Sequence, residues 1–414
     1  MKRLFSESTV SLHLNSFWLL LARLSSQGLA VVFIALVARR LAPASFGQFT
    51  FIAATVLIGN TFTSFGTDTL LIREIAKARQ VTTLVHRAFT LQILLSAIWC
   101  LLLILLRVPI PLLIFSFSLF PLAIFSIVSA LLRAFERMDL FWGLSLGNGF
   151  IQILCAVFVS DLFMLCILLL IGNVFTSFLA LRIFSILMPG FRLFSFLDFR
   201  PLLPIILPFA ALSTLGILSQ RLGILSTSIL IGDVATGLFS SAARILDGMK
   251  FGHYAILGAL LPLLSRGALY SKQNYRLAFV GMLAMSILLA GGVTLLAHPI
   301  IYLVFGEKYT PAVSLLVVMV WCLVPYTISA FLSVDLVARG EENILLKATI
   351  LSLAVWIIFF VWWITSYGLA GAAWATLIGE IFQAMILLLL GLEKPKAGEE
   401  IDFANIGISD DVSK

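Results

Sequence analysis

The chain has 414 residues, of which 61% are hydrophobic and 11% charged, and it carries a net charge of +7; its mean hydropathy is +1.12. A water-soluble domain carries about a quarter charged residues, so this composition excludes a globule in water and leaves the bilayer as the solvent. The Lys and Arg residues punctuate apolar runs and build no basic domain, which excludes nucleic acid as a partner.

A spanning helix needs about 20 mostly apolar residues. In chain order, such runs predict spans near 14–38, 46–68, 88–106, 110–132, 140–160 and 162–186. A second set lies near 203–231, 236–262, 276–297, 312–337, 344–365 and 369–392. The fold class is therefore all-α and polytopic, with about twelve transmembrane helices. The first run follows Met1, Lys2 and Arg3, reaches Val37 and has no small-residue cleavage site. It predicts a helix that stays, not a signal peptide. Asn15, Arg23 and Gln27 share one face of it at spacings of eight and four. Arg23 sits about nine residues in, roughly 14 Å deep. A charge there either lines a cavity or pairs structurally, with Asp68 or a backbone carbonyl.

The second span carries Asn60, Ser64, Thr67 and Asp68 on one side. The stripe points at protein or water, although Asp68 could instead simply end the helix. Arg107-Val108-Pro109 and Ser160-Asp161 are short turns that make hairpins of 88–132 and 140–186. Ser145, Asn148 and Gln152 form a weaker stripe, as do Asn173 with Ser177, and Tyr326 with Ser329 and Ser333. Each reads as a cavity face or as glue between helices. The longest internal connection runs from Pro189 to Pro201. It divides the chain into six-helix bundles at 1–190 and 191–392, followed by a polar tail at 393–414.

The eighth span holds the densest charge. Ser240, Arg244, Asp247, Phe251 and Tyr254 form a stripe, with Lys250 and His253 beside it. Arg244 and Asp247 are spaced to pair at i, i+3. The surplus cations there, with Arg23 and Arg221, make an interior suited to an anion such as pyrophosphate, which Arg recognises through its donor fork. The same charges could equally lock this helix to its neighbours. In the last span, Thr376, Glu380 and Gln383 form a stripe whose acid could titrate. Asp68, Glu380 and His253 are the candidates for ion coupling.

Cationic residues concentrate in alternate loops, at Arg73, Lys77, Arg79, Arg87, Arg133 and Arg137 among others. The opposite loops carry Arg39, Arg40, Arg107 and Lys308. That bias predicts both termini on the cytoplasmic side. Cys100, Cys155, Cys166 and Cys322 lie in apolar runs without metal-ligand spacing. The chain has no phosphate-loop motif, no HExxH and no Ser-His-Asp arrangement, so no cofactor, metal or catalytic residue is expected.

The halves read as a weak repeat. NSFWLLLARLSSQGLA in the first span parallels PFAALSTLGILSQRLG in the seventh, with Arg23 and Arg221 near mid-span. LAPASFGQFTFIAA then parallels IGDVATGLFSSAAR, where Gly47 and Gly237 precede Phe49 and Phe239 by two positions. Six-helix repeats of one orientation build transporters with a central site between the halves.

Several segments carry a family resemblance. They are ARRLAPASFGQF (Ala38 to Phe49), TSFGTDTLLIREIAK (Thr63 to Lys77), LLRAFERMD (Leu131 to Asp139) and VATGLFSSAARILD (Val234 to Asp247). ALLPLLSR (Ala259 to Arg266), VFGEKYTPA (Val304 to Ala312) and YGLAGAAWATLIGE (Tyr367 to Glu380) complete the set. In this order the chain resembles Wzx-type repeat-unit flippases, within the polysaccharide transporters of the multidrug/oligosaccharidyl-lipid/polysaccharide exporter superfamily. The resemblance implies two six-helix bundles around a central cavity, alternating access, and a bacterial inner-membrane location. It implies a substrate of oligosaccharide on undecaprenyl pyrophosphate, for surface polysaccharide such as O-antigen of lipopolysaccharide. A polysaccharide polymerase and a chain-length regulator would be partners, beside membrane lipid. An ion-coupled drug exporter of the same superfamily would favour acids for cationic drugs. A membrane glycosyltransferase or polymerase would need a large external loop, and the sequence has none.

Overall fold

The computed structural model describes residues 12–76, 81–187, 197–265, 272–338 and 341–392. The polar tail and residues 189–196 of the long connection lie outside this set. The described residues are helical throughout, with no strand among them. The first half of the chain contains α1 (Leu12–Arg40), α2 (Pro43–Ser64), α3 (Thr67–Ala76), α4 (Val81–Leu105), α5 (Ile110–Ser116), α6 (Leu119–Ala134), α7 (Met138–Val157) and α8 (Leu162–Leu187). The second half contains α9 (Leu203–Leu230), α10 (Asp233–Ser265), α11 (Lys272–Leu295), α12 (Ala297–Phe305), α13 (Val313–Met319), α14 (Leu323–Ala338) and α15 (Glu342–Leu392).

Three breaks in these helices matter. Phe65 and Gly66 take positive φ, 49° and 72°, and α2 bends by 42° into α3. Gly is built for such a corner, whereas Phe is strained in it. Asp68 therefore does not end the second span. It stands in the first turn of α3. Gly368 (φ 59°) breaks α15 in the same manner. At Arg107 (φ 51°) the chain turns between α4 and α5.

Among the described residues, eight runs are long and apolar enough to cross a bilayer, and nine if α2 and α3 count as one bent span. The run Ile344–Leu390 has 47 residues, roughly twice the length one crossing needs; Gly368 divides it into two. With 28 and 33 residues, α9 and α10 are long enough to cross as well. The charges of α10 lower its hydropathy, but Asp247 and Lys250 meet partners on other helices, as described below. Counted this way the described helices give about twelve crossings, in agreement with the sequence. Leu105, Ile186, Leu288 and Leu389 are exposed on their outside, as suits groups whose solvent is hydrocarbon.

The largest core cluster joins helices of both halves. Phe33, Phe46 and Phe49 of the first half pack with Phe239, Phe305, Tyr309 and Phe360 of the second. The seam has its tightest point where α2 meets α10. A Cβ added to Gly47 would lie 1.8 Å from the carbonyl oxygen of Asp233, and one added to Gly237 would lie 2.1 Å from that of Pro43. Only glycine permits this approach. Gln48 Nε2 donates to Asp233 Oδ2 at 2.7 Å, and Ser240 Oγ donates to Thr50 Oγ1 at 3.0 Å. Thr50 and Ser240 are 190 positions apart, the same offset as Gly47 and Gly237. The repeat seen in sequence thus packs against its own copy around a local two-fold, each glycine on the other's helix start. Nearby, Tyr309 donates its hydroxyl to the Ala38 carbonyl at 3.1 Å. Arg39 donates to the carbonyls of Leu303 and Val304. This sealed end fixes how the halves meet, and so where their polar groups lie.

Candidate functional site

Two polar regions are built inside the helices, one in each half. In the first half, α1, α2, α3, α6 and α7 line an open cavity of about 500 Å³. Asn60 reaches it from α2 and Asp68 from α3, while Asn148 and Gln152 project from α7 and Gln27 from α1. The bend at Phe65-Gly66 turns Asp68 toward α6, where Ser126 Oγ donates to its Oδ1 at 2.5 Å. Arg133, also of α6, lies on the wall; it donates to the Ser129 carbonyl at 3.2 Å and covers the Phe141 ring at 5.4 Å. Phe125 and Phe141 supply apolar wall. Beside the cavity, Arg137 closes the turn between α6 and α7 on Asp139 at 2.9 Å. That hydrogen bond holds the Arg137 guanidinium above its ordinary pKa range.

In the second half, α9, α10, α14 and α15 bring charges together. Arg221 Nη1 meets Asp247 Oδ2 at 3.3 Å. Lys250 Nζ meets Glu380 Oε1 at 2.5 Å and stands 4.6 Å from the centre of the Tyr326 ring. Glu380 is buried, with 3% of its side chain exposed. The i, i+3 pair expected between Arg244 and Asp247 is not formed, because Asp247 turns to α9 and takes Arg221. Arg244 makes no ion pair among the described residues, and its buried Nε, like that of Arg221, has no hydrogen-bond partner. Three cations against two carboxylates leave this region positive, and Arg244 carries the surplus. His253 is buried, its Nδ1 3.3 Å from the Met249 carbonyl and its Nε2 without a partner among the described residues.

The sequence candidates therefore divide. Asn60, Asp68 and Asn148 share the first cavity, and Arg221, Asp247, Lys250 and Glu380 form the second cluster with Arg244 beside them. Arg23 is exposed on α1 and does not line the cavity, although Gln27 of the same stripe does. Asn15 faces Glu136 instead, at 3.4 Å. The side chain of Tyr254 lies outside the described set. Ser126, Arg133, Phe125 and Phe141 were not legible as site residues, since Arg133 reads as an ordinary charge at a helix end and the others as lipid-phase packing. Among the described residues no group of His, Cys, Asp or Glu could hold a metal ion.

A many-span helical bundle, joined at a glycine seam and carrying partnered charges inside, has the fold of a membrane transporter. Similar architecture occurs in an inward-facing multidrug resistance MATE family transporter of the MOP superfamily. The TM-score is 0.70 at 16% identity, covering 89% of this chain and 96% of that one. The lipid II flippase MurJ in an inward closed conformation is as similar: TM-score 0.70, 15% identity, 91% of this chain and 87% of that one. An outward-facing MATE family transporter gives 0.63 at 17% identity, over 90% and 92% of the two chains. The chain belongs to the polysaccharide biosynthesis protein family, whose model matches residues 12–268. No curated protein matches it in sequence.

Proposed function

We propose that this protein is a flippase, not an enzyme. It moves undecaprenyl-pyrophosphate-linked oligosaccharide repeat units from the cytoplasmic to the outer face of a bacterial inner membrane, for surface polysaccharide synthesis. The observation that carries this reading is the net positive cluster of Arg221, Arg244 and Lys250 against Asp247 and Glu380, in a family tied to polysaccharide biosynthesis. A buried cation without a carboxylate partner is costly in an apolar bundle, and an anionic ligand removes that cost. Pyrophosphate on a polyprenyl tail suits it, because the tail stays in lipid while only the head enters.

With both termini cytoplasmic, the seam at Gly47 and Gly237 would lie on the outer side, as an inward-facing state requires. The two bundles, 1–190 and 191–392, would then rock about that seam. Arg23 would meet the head group on entry, outside the cavity. Asp68, Glu380 and His253 are where a coupling ion or proton would act. A polymerase and a chain-length regulator would take over the product.

The buried acids Asp68 and Glu380 favour one second reading, an ion-coupled exporter of cationic compounds. A deletion strain separates the two. Complete repeat units accumulating on the carrier, with surface polymer lost, are expected of the flippase. Normal carrier and polymer levels with altered drug tolerance would establish the exporter instead.

A further inference from the structure

We infer that the cavity of the first half is a sugar-binding subsite, reading an uncharged hydroxyl-rich unit of the glycan while the phosphates lie at the cations of the second half. This inference rests on the flippase reading and adds to it where the glycan is recognised.

The case starts from four amides that make no bond to protein among the described residues. The side-chain amides of Gln27, Asn60, Asn148 and Gln152 all line the cavity, and none makes a hydrogen bond to protein among the described residues. Each amide carries two donors and an acceptor oxygen. Four of them converging on one cavity present both donors and acceptors, which is the pattern a polyol matches, since every sugar hydroxyl both donates and accepts. An anion would use only the donors. Amides serving only to join helices would be bonded to one another or to backbone.

Charge points the same way. Asp68 and Arg133 are the ionisable groups on the wall, one of each sign. The two wall charges offset each other, and the Arg23 charge that acts on Arg133 comes from the exposed side of α1, outside the lining. Asp68 accepts from Ser126 and also bonds Gln92; a carboxylate has further lone pairs and accepts strongly from hydroxyls. Phe125 gives flat apolar wall for the C–H face of a pyranose, while the Phe141 ring is covered by Arg133. The volume, about 500 Å³, falls within the range of about 300–1,000 Å³ typical of small-ligand sites.

The test uses the full-length protein in nanodiscs and two ligands. One is the lipid-linked glycan extracted from the deletion strain, and the other is undecaprenyl pyrophosphate without sugar. The wild type is expected to bind the glycan-bearing lipid about ten- to a hundred-fold more tightly, the equivalent of two net hydrogen bonds. Asn148→Leu with Gln152→Leu is expected to erase that advantage while leaving the affinity for the bare carrier unchanged, which also reports correct folding. If this variant loses both ligands, Asn148→Ser with Gln152→Ser decides, by selective loss or its absence. A wild type with no preference for the glycan, or a preference that survives these substitutions, overturns the subsite. A wild type that binds neither lipid removes the flippase reading as well.

Discussion

The seam between the halves and the polar groups within them are held by opposite means. At the seam Gly47 and Gly237 bring two helix starts into backbone contact, and hydrogen bonds from Gln48, Ser240, Tyr309 and Arg39 accompany it with no ion pair among the described residues. Packing of this kind is lost when the surfaces part and regained when they meet, so it suits an interface that opens and closes. Inside the second half, Lys250 and Glu380 join α10 to α15, and breaking such a pair leaves a charge stranded in hydrocarbon. The first is the kind of contact that can be given up; breaking the second would strand a charge. On the proposed flippase reading, the seam would be where the molecule hinges, and the ion pairs would mark what moves as a body.

The sharpest break of this contrast is Gly47→Leu. Its side chain would enter the Asp233 carbonyl, so the sealed state should be lost and surface polymer abolished at normal membrane levels; quantified polymer and immunoblots check this. Gly237→Leu should act alike, by the local two-fold. Next, Glu380→Gln leaves Lys250 unpaired and should cost about 3–5 kcal/mol, seen as a large fall in thermal unfolding temperature in detergent. Adding Lys250→Met should recover most of it. Arg244→Gln should do the reverse, with unfolding temperature unchanged and export reduced about ten-fold, because its guanidinium has no carboxylate partner to lose. Equal stability loss for Arg244→Gln and Glu380→Gln would collapse the distinction between free and paired cations. The smallest effect is expected of Arg39→Gln. Exposed at the seam and bonded only to carbonyls, it should modestly raise the labelling of a cysteine placed at Gln48.

Much of this was legible in the chain. Helix number follows from apolar run length, since a segment of about 20 residues without charge has no other stable home. The pairing of Gly47 with Gly237 was visible as a repeat, though its meaning was not: aligned glycines show that two segments are alike, not that they touch. Lys250 illustrates the opposite case. Its neighbours on α10 predict a free cation, and its partner is 130 positions away. Arg133 shows a third, because position at a helix end reads as a topology signal whether or not the side chain turns inward. The bend at Phe65-Gly66, which aims Asp68 at Ser126, has a single glycine as its trace in the sequence.

By itself, then, the sequence determined the solvent, the helices and which residues are polar within them, because burial in lipid depends on composition along a continuous stretch. Only the tertiary structure decided which of those polar groups meet. Asp247 had Arg244 one turn away and takes Arg221 from α9, and Gln27 enters a cavity that Arg23 of the same helix does not. Helix periodicity gives a face, but the rotation of that face is set by packing against neighbours distant in sequence.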